Sequence, residues 1–201
     1  KKKYFYVYKF IKGKILSEKL IDNKEIFELL NWCKKNLFKK IKLSKNERSL
    51  FYNDCKQFYY NKTMRRIRDF RKKTSILDGL LFINNKKTFK VSQLIKKINW
   101  REVLKGHPSK FHGDFHFENI IKIAKGYKLI DWREKFSNSR LYGDLYYDLA
   151  KLNHSFIVNH KKVDQKKFSL FARGNKIVVN IERRADLVRS QKLFYKFLRE
   201  N

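Results

Sequence analysis

Two carboxylates and a carboxamide stand in an order that could move a phosphoryl group. In the segment Phe111-His112-Gly113-Asp114-Phe115-His116-Phe117-Glu118-Asn119, four residues separate Asp114 from Asn119. Two short apolar runs follow, 120–124 and 127–130, split by Lys125-Gly126 and closed by Asp131-Trp132. Phosphoryl transfer asks for a carboxylate that orients a hydroxyl and takes its proton, and for oxygen ligands that hold Mg²⁺ against the nucleotide phosphates. Mg²⁺ prefers hard oxygens and keeps several waters, so one amide oxygen and one carboxylate can suffice. The paired runs predict a tight β-hairpin. Such a hairpin folds back, so that Asn119 and Asp131 can approach one cation. Asp and Asn also favour ordinary turns and caps, but the order and spacing here favour the chemical reading.

The surrounding pattern supplies elements to hold this segment. Residues 4–10 are aromatic and β-branched, which predicts a strand. Ile26, Leu29, Leu30, Cys33 and Leu37 follow helical spacing, with Asn23 expected as the N-cap. A longer helix is expected over 47–73, with Leu50, Phe51, Asp54, Phe58, Met64, Ile67 and Phe70 marking one face and Lys62, Arg65, Arg66, Arg68 and Arg71 the other. Residues 74–90 read as loop and 92–104 as one short helix. After a loop over 133–143, Leu145, Leu149, Ala150 and Leu152 mark a further helix. A hairpin is expected over 168–181, turning at Arg173-Gly174-Asn175, and a helical tail from Asp186. Trp32 and Trp100 read as core or partly buried aromatics.

Three ordered motifs carry a family resemblance. His112-Gly113-Asp114-Phe115-His116-Phe117-Glu118-Asn119, then Leu129-Ile130-Asp131-Trp132, then Gly143-Asp144-Leu145-Tyr146-Tyr147-Asp148-Leu149-Ala150 resemble the aminoglycoside phosphotransferase and choline kinase family of protein-kinase-like enzymes. The resemblance is strong from Lys110 to Leu152 and weaker elsewhere. It implies an α+β, protein-kinase-like fold, represented mainly by its α-rich C-terminal lobe. Residues 1–16 would be the end of the N-terminal lobe and the hinge, and 17–201 the catalytic lobe. It implies ATP and Mg²⁺ as cofactors and a small-molecule hydroxyl as acceptor. Asp114 would be the catalytic base, and Asn119 and Asp131 the metal ligands. His116 would be either a phosphate contact or a loop support. His112 and Asp148 would brace the loop, and backbone groups at Lys9, Phe10 and Ile11 would form the nucleotide hinge. No Gly-rich loop or strand lysine can be assigned in residues 1–16. The chain opens on Lys1, so upstream residues are expected to cover the ATP phosphates, and this chain alone is expected to be inactive. Tyr59, Lys62, Thr63 and Arg66 have no place in the family pattern, nor does the 168–181 hairpin.

Composition narrows the alternatives. The formal charge is +31, from 50 Lys+Arg against 19 Asp+Glu. Enrichment in Lys, Asn, Ile, Phe and Tyr, all with A/T-rich codons, is expected to account for much of that charge, with a functional basic surface as the alternative. A basic face over 65–71 is either solvated or an attraction for ATP or an anionic acceptor. Acids are scarce outside the motifs, which turns the expectation from choline or aminoglycosides towards a neutral or anionic sugar-like acceptor. The charge alone does not make a nucleic-acid partner, because no RNP, zinc-finger or OB signature accompanies it. A non-catalytic binding module of the same fold is the other alternative. His107, His112, His116 and Asp114 invite zinc, but His112 and His116 would share a face only on a helix, which Gly113 opposes. Cys33 and Cys55 form no CxxC pair, so reduced thiols and a cytoplasmic setting are expected. No apolar run reaches the ~20 residues of a membrane span.

Overall fold

The computed structural model describes residues 10–73 and 82–201. The fold is α+β, with small antiparallel and mixed sheets between helices. In chain order, β1 (Lys14–Ile15) leads to α1 (Asn23–Asn36). Next come α2 (Lys45–Cys55), a π-helical stretch (Lys56–Asn61) and α3 (Lys62–Arg71). A small hairpin of β2 (Phe82–Ile83) and β3 (Lys86–Lys87) precedes α4 (Val91–Lys97) and α5 (Trp100–Lys105). Then β4 (Pro108–Ser109), β5 (Ile120–Lys122), β6 (Tyr127–Leu129) and β7 (Gly143–Asp144) frame the motif-bearing segment. The chain closes with α6 (Leu145–Ile157), α7 (His160–Asp164), β8 (Phe168–Arg173), β9 (Lys176–Ile181) and α8 (Ala185–Glu200).

The expected hairpin after Asn119 is present, with Ile120 opposite Leu129 and Lys122 opposite Tyr127. Its outer edge pairs antiparallel with β1, Ile15 facing Ile121. The core beneath it takes one apolar stripe from each of α1, α6 and α8: Ile26, Leu29, Leu30 and Cys33; Leu149, Leu152 and Phe156; Leu187, Phe194 and Phe197. Phe115 and Phe117 complete this core from the loop. A second core gathers Phe51, Cys55, Leu104 and Phe136, with Phe58, Tyr59, Phe111 and Tyr142 packed against it. Cys33 and Cys55 are both buried and unbridged.

Several sequence expectations require correction. The cap of α1 is Asp22, whose carboxylate accepts from the Glu25 N–H at 2.7 Å; Asn23 is the first helical residue. A carboxylate there also faces the positive end of the helix dipole. The long helix over 47–73 is interrupted by the π-helical stretch, and Leu50, Met64 and Phe70 are exposed. Three consecutive aromatics explain the interruption. Phe58 packs on Phe136 (4.4 Å between centroids), Tyr59 also faces Phe136, and Tyr60 meets Trp100 at 5.0 Å. The widened turn of a π-bulge lets adjacent residues face inward together. The single helix over 92–104 is two, α4 and α5, broken at Ile98-Asn99. Part of the loop expected over 74–90 is the β2–β3 hairpin. Asn84 and Asn85 both take positive φ (49° and 63°), as a tight hairpin turn demands. The 168–181 hairpin forms as expected, and its β9 strand pairs parallel with β2. Of the strand expected over 4–10, residues 4–9 lie outside the described residues, and Phe10 is not in a strand.

Candidate active site

The loop after β4 alternates. Phe115 and Phe117 are 0% and 2% exposed, buried in the main core, while the alternate residues Asp114, His116 and Glu118 are half-buried. Two deep apolar anchors thus aim three polar side chains the other way. Gly113 has φ +84°, and a Cβ there would stand 2.4 Å from the Arg133 Cβ and 2.7 Å from the Phe111 ring. Only glycine fits both the conformation and the space.

The loop backbone is held from behind. Asp148 on α6 accepts from the N–H groups of His112 (2.7 Å) and Gly113 (2.8 Å). Burial pushes its carboxyl up to about 7, with the two N–H groups pulling it back and Asp144 and Asp114 adding to the rise. The buried His112 ring lies 2.9 Å through Nε2 from the Ile130 carbonyl, and its Nδ1 accepts from the Asp114 N–H at 3.2 Å. This pattern makes Nε2 the protonated nitrogen of a neutral ring. Burial lowers its pKa to about 4, against smaller opposing effects of the Ile130 carbonyl and Asp114. Arg133 donates from Nε to the Gly113 carbonyl at 3.1 Å. His112 and Asp148 thus both bond to the backbone of this stretch.

Asp114 and Asn119 come together as expected. Asn119 donates through Nδ2 to the Asp114 carbonyl at 2.9 Å, and the same nitrogen lies 3.4 Å from Asp114 Oδ2. Its side-chain oxygen makes no hydrogen bond to the described residues, which leaves it available as a ligand. Asp131 closes the hairpin with φ +56°. Its neighbours tie it to the loop, since the Ile130 N–H donates to the Asn119 carbonyl (3.1 Å) and the Arg133 N–H to the His112 carbonyl (2.8 Å). His116 has both ring nitrogens engaged, Nδ1 with Glu118 at 2.7 Å and Nε2 with Asp114 Oδ2 at 3.2 Å.

Lys151 is the residue that sequence reasoning missed. Its Nζ lies 2.6 Å from Asp114 Oδ1. It sits three residues after Asp148, so one face of α6 carries both the brace for the backbone and a cation for the carboxylate. That spacing within Asp148-Leu149-Ala150-Lys151 was the available signal. Burial alone would raise Asp114, but Lys151 and then His116 outweigh it, and the carboxyl is held below the usual range.

Of the expected hinge, Lys9 lies outside the described residues. Phe10 is 89% exposed, and with Ile11 it lines an open cavity of about 1210 Å³ shared with Gly13, Lys19, Lys122 and Ile123. Among the described residues no three His, Cys, Asp or Glu side chains group to hold a metal. A site built from Asn119 and Asp131 has only one carboxylate and would draw its remaining ligands from phosphates and water. No described helix is long and apolar enough to cross a membrane. No family model, curated protein or solved structure matches the chain.

Proposed function

We propose that the chain is the catalytic lobe of a kinase-like phosphotransferase, which moves the γ-phosphoryl group of ATP to the hydroxyl of a small molecule. The observation that carries this reading is the joining of Asp114 and Asn119 through a direct hydrogen bond, with Asp131 tied into the same loop by the bonds on either side of it. The donor set suits Mg²⁺: Asn119 would offer Oδ1 and Asp131 its carboxylate. When bound, the ion would neutralise charge on the phosphates being separated.

The chain's own groups divide the remaining work. Lys151 stands against Asp114 and holds its carboxyl below the usual carboxylate range. A carboxylate with a lowered pKa is a weak base, so it chiefly aligns the acceptor hydroxyl and takes the proton late in transfer. Lys151, 2.6 Å from Asp114, would also meet the incoming phosphoryl group, a role that would leave His116 as loop support. The cavity beside Phe10, Ile11 and Ile123 offers apolar walls for the nucleotide base. Held donors and charges of this kind lower the barrier because they need no reorganisation during reaction.

Asp114→Asn tests the reading. In full-length protein, Mg²⁺-dependent transfer from ATP to a hydroxyl acceptor should fall by about 10²–10⁴-fold, the usual contribution of a positioned base. Nucleotide affinity should stay within about threefold, because Asp114 is not among the proposed metal ligands. Undiminished transfer by this variant would show that Asp114 is not the group that handles the hydroxyl.

A further inference from the structure

Beside the loop lies a group of cations that the family pattern does not explain. The π-helical stretch is pinned by Tyr59, whose hydroxyl donates to Asp144 at 2.6 Å. Asp144 in turn accepts from the His107 N–H and caps α6. This anchorage fixes the start of α3 against the N-terminus of α6. Lys62, its first residue, places Nζ 4.4 Å from the Phe58 ring centroid, and the Arg133 guanidinium lies 5.7 Å from that same centroid. Arg66 follows one turn after Lys62. Lys62, Arg66 and Arg133 have no carboxylate partner among the described residues. Arg133 spends only Nε on the Gly113 carbonyl, which leaves its terminal nitrogens uncommitted among the described residues.

Converging like charges without counter-charges is unfavourable unless a ligand supplies them. The Lys62 amine is held below its ordinary range, by burial first and then by the nearby charges of Arg66, Arg133, Arg65 and Lys151. The last of these touches Asp114 itself. The cluster and the reacting carboxylate therefore lie within electrostatic reach of each other, on the α3–α6 side of the loop.

We propose that the acceptor is itself an anion: a polyhydroxylated small molecule of the sugar-acid or sugar-phosphate class, whose phosphate or carboxylate is held by Lys62, Arg66 and Arg133 while its hydroxyl meets Asp114. The assignment of an acceptor rests on the phosphotransferase reading. The anion site itself does not. Guanidinium groups present planar, paired donors to phosphate or carboxylate, and Lys62 adds a mobile point charge. A cationic acceptor such as choline would face uncompensated repulsion at the same place.

Pyridoxal 5′-phosphate tests this on the intact protein. Its phosphate seeks an anion site, and its aldehyde condenses with a nearby neutral amine to an imine, releasing water. Borohydride then reduces the imine to a stable amine that mass spectrometry can locate. Lys62 should be labelled at least tenfold above the typical lysine of the chain, and pyridoxal, which lacks the phosphate, should not reproduce that preference. Glucose 6-phosphate or glucuronate should protect Lys62 and glucose should not. Which of the two protects more strongly distinguishes phosphate from carboxylate. Uniform labelling, equal labelling by pyridoxal, or protection by neither anion overturns the proposal. Protection by Mg·ATP alone also overturns it, because the cluster would then serve the nucleotide. Failure of the phosphotransferase reading looks different: Asp114→Asn would retain transfer, whatever the labelling at Lys62.

Discussion

The Asp114 loop and the sheet of β3, β2, β9 and β8 use similar residues to opposite ends. Phe115 and Phe117 in the loop are buried, whereas Phe168 and Phe171 in β8 are 46% and 69% exposed. The sheet holds itself together, with six residue pairs between β8 and β9 and a glycine turn at Gly174. The loop has only a single 3-10 turn over Phe117–Asn119 and a few internal hydrogen bonds of its own. Its backbone is held by Asp148 and Arg133, from a helix and a loop that lie beyond it in sequence, and by Asn119 at its end. Local ladders tolerate change, whereas a conformation imposed by distant partners fails when one partner goes. The residues proposed for function sit in the second kind of region.

Removal of Asp148 should break the loop most severely. Asp148→Ala leaves the buried His112 and Gly113 N–H groups without acceptors and should cost about 3–5 kcal/mol. Denaturant unfolding measures the loss, and any surviving folded protein should transfer phosphate poorly. In β8, Leu170→Ser should change stability by no more than about 0.5 kcal/mol, since the side chain is exposed. Equal losses at the two sites would dissolve the contrast.

Two glycines sharpen it further. Gly113 and Gly174 both have positive φ, so alanine is strained at either. At Gly174 a Cβ meets nothing within 4 Å, and Gly174→Ala should cost about 1–2 kcal/mol from conformation alone. At Gly113 it would collide with Arg133 and Phe111. Gly113→Ala should cost about 2 kcal/mol more than its counterpart, because neither neighbour can retreat without disturbing the loop. Thermal or chemical unfolding of the pair would settle it, and matched losses would mean that the loop yields more readily than its packing implies.

Lys151 gives a smaller, chemical effect. With Lys151→Met the carboxyl of Asp114 loses the cation that most lowers it, so its pKa should rise. The acidic limb of the rate against pH should move upward with it, and activity should fall below neutrality first. A variant with lower activity but an unmoved limb would make Lys151 a phosphate contact only.

The sequence disclosed these regions unequally, for the same physical reason. The 168–181 hairpin was legible because alternation and an Arg-Gly-Asn turn are local signals. The hairpin at Asn84-Asn85 carried an equally local signal, two residues suited to positive φ, but its two-residue strands are too short for alternation to show. The candidate site was marked in the sequence by ordered spacing from Asp114 to Asp131, which propensity alone does not produce. Lys151 stayed hidden because its partner is 37 residues away, and a lysine on a helix reads as a solvated one. The π-helical stretch was equally opaque: Phe58-Tyr59-Tyr60 fits neither helical nor strand periodicity, and only the second core gives those three rings their common side.

The last contrast lies within the loop's own support. His112 and Asp148 bond the same stretch of backbone, yet acid affects them oppositely. His112 is held near 4, below its ordinary ~6.5, so the fold favours the neutral ring. Its contribution is present above pH ~6.5 and is lost as pH falls towards 4. Asp148 is held near 7, above the ordinary carboxylate value, so the fold favours its protonated form. Its contribution is greatest below the ordinary value and is lost as pH rises towards 7. Between about pH 4 and 6.5 the two slopes oppose, and their part of the wild-type stability should be nearly flat. Asp148→Asn removes one slope, and its stability should fall on acidification by up to about 1.4 kcal/mol per pH unit relative to wild type. His112→Gln, whose amide can still donate to the Ile130 carbonyl, should show the reverse and gain stability relative to wild type on acidification. Unfolding free energies at three pH values across this window would read both slopes. Parallel curves for all three proteins would mean that neither group titrates against the fold, and that the loop is held by hydrogen-bond geometry without regard to charge.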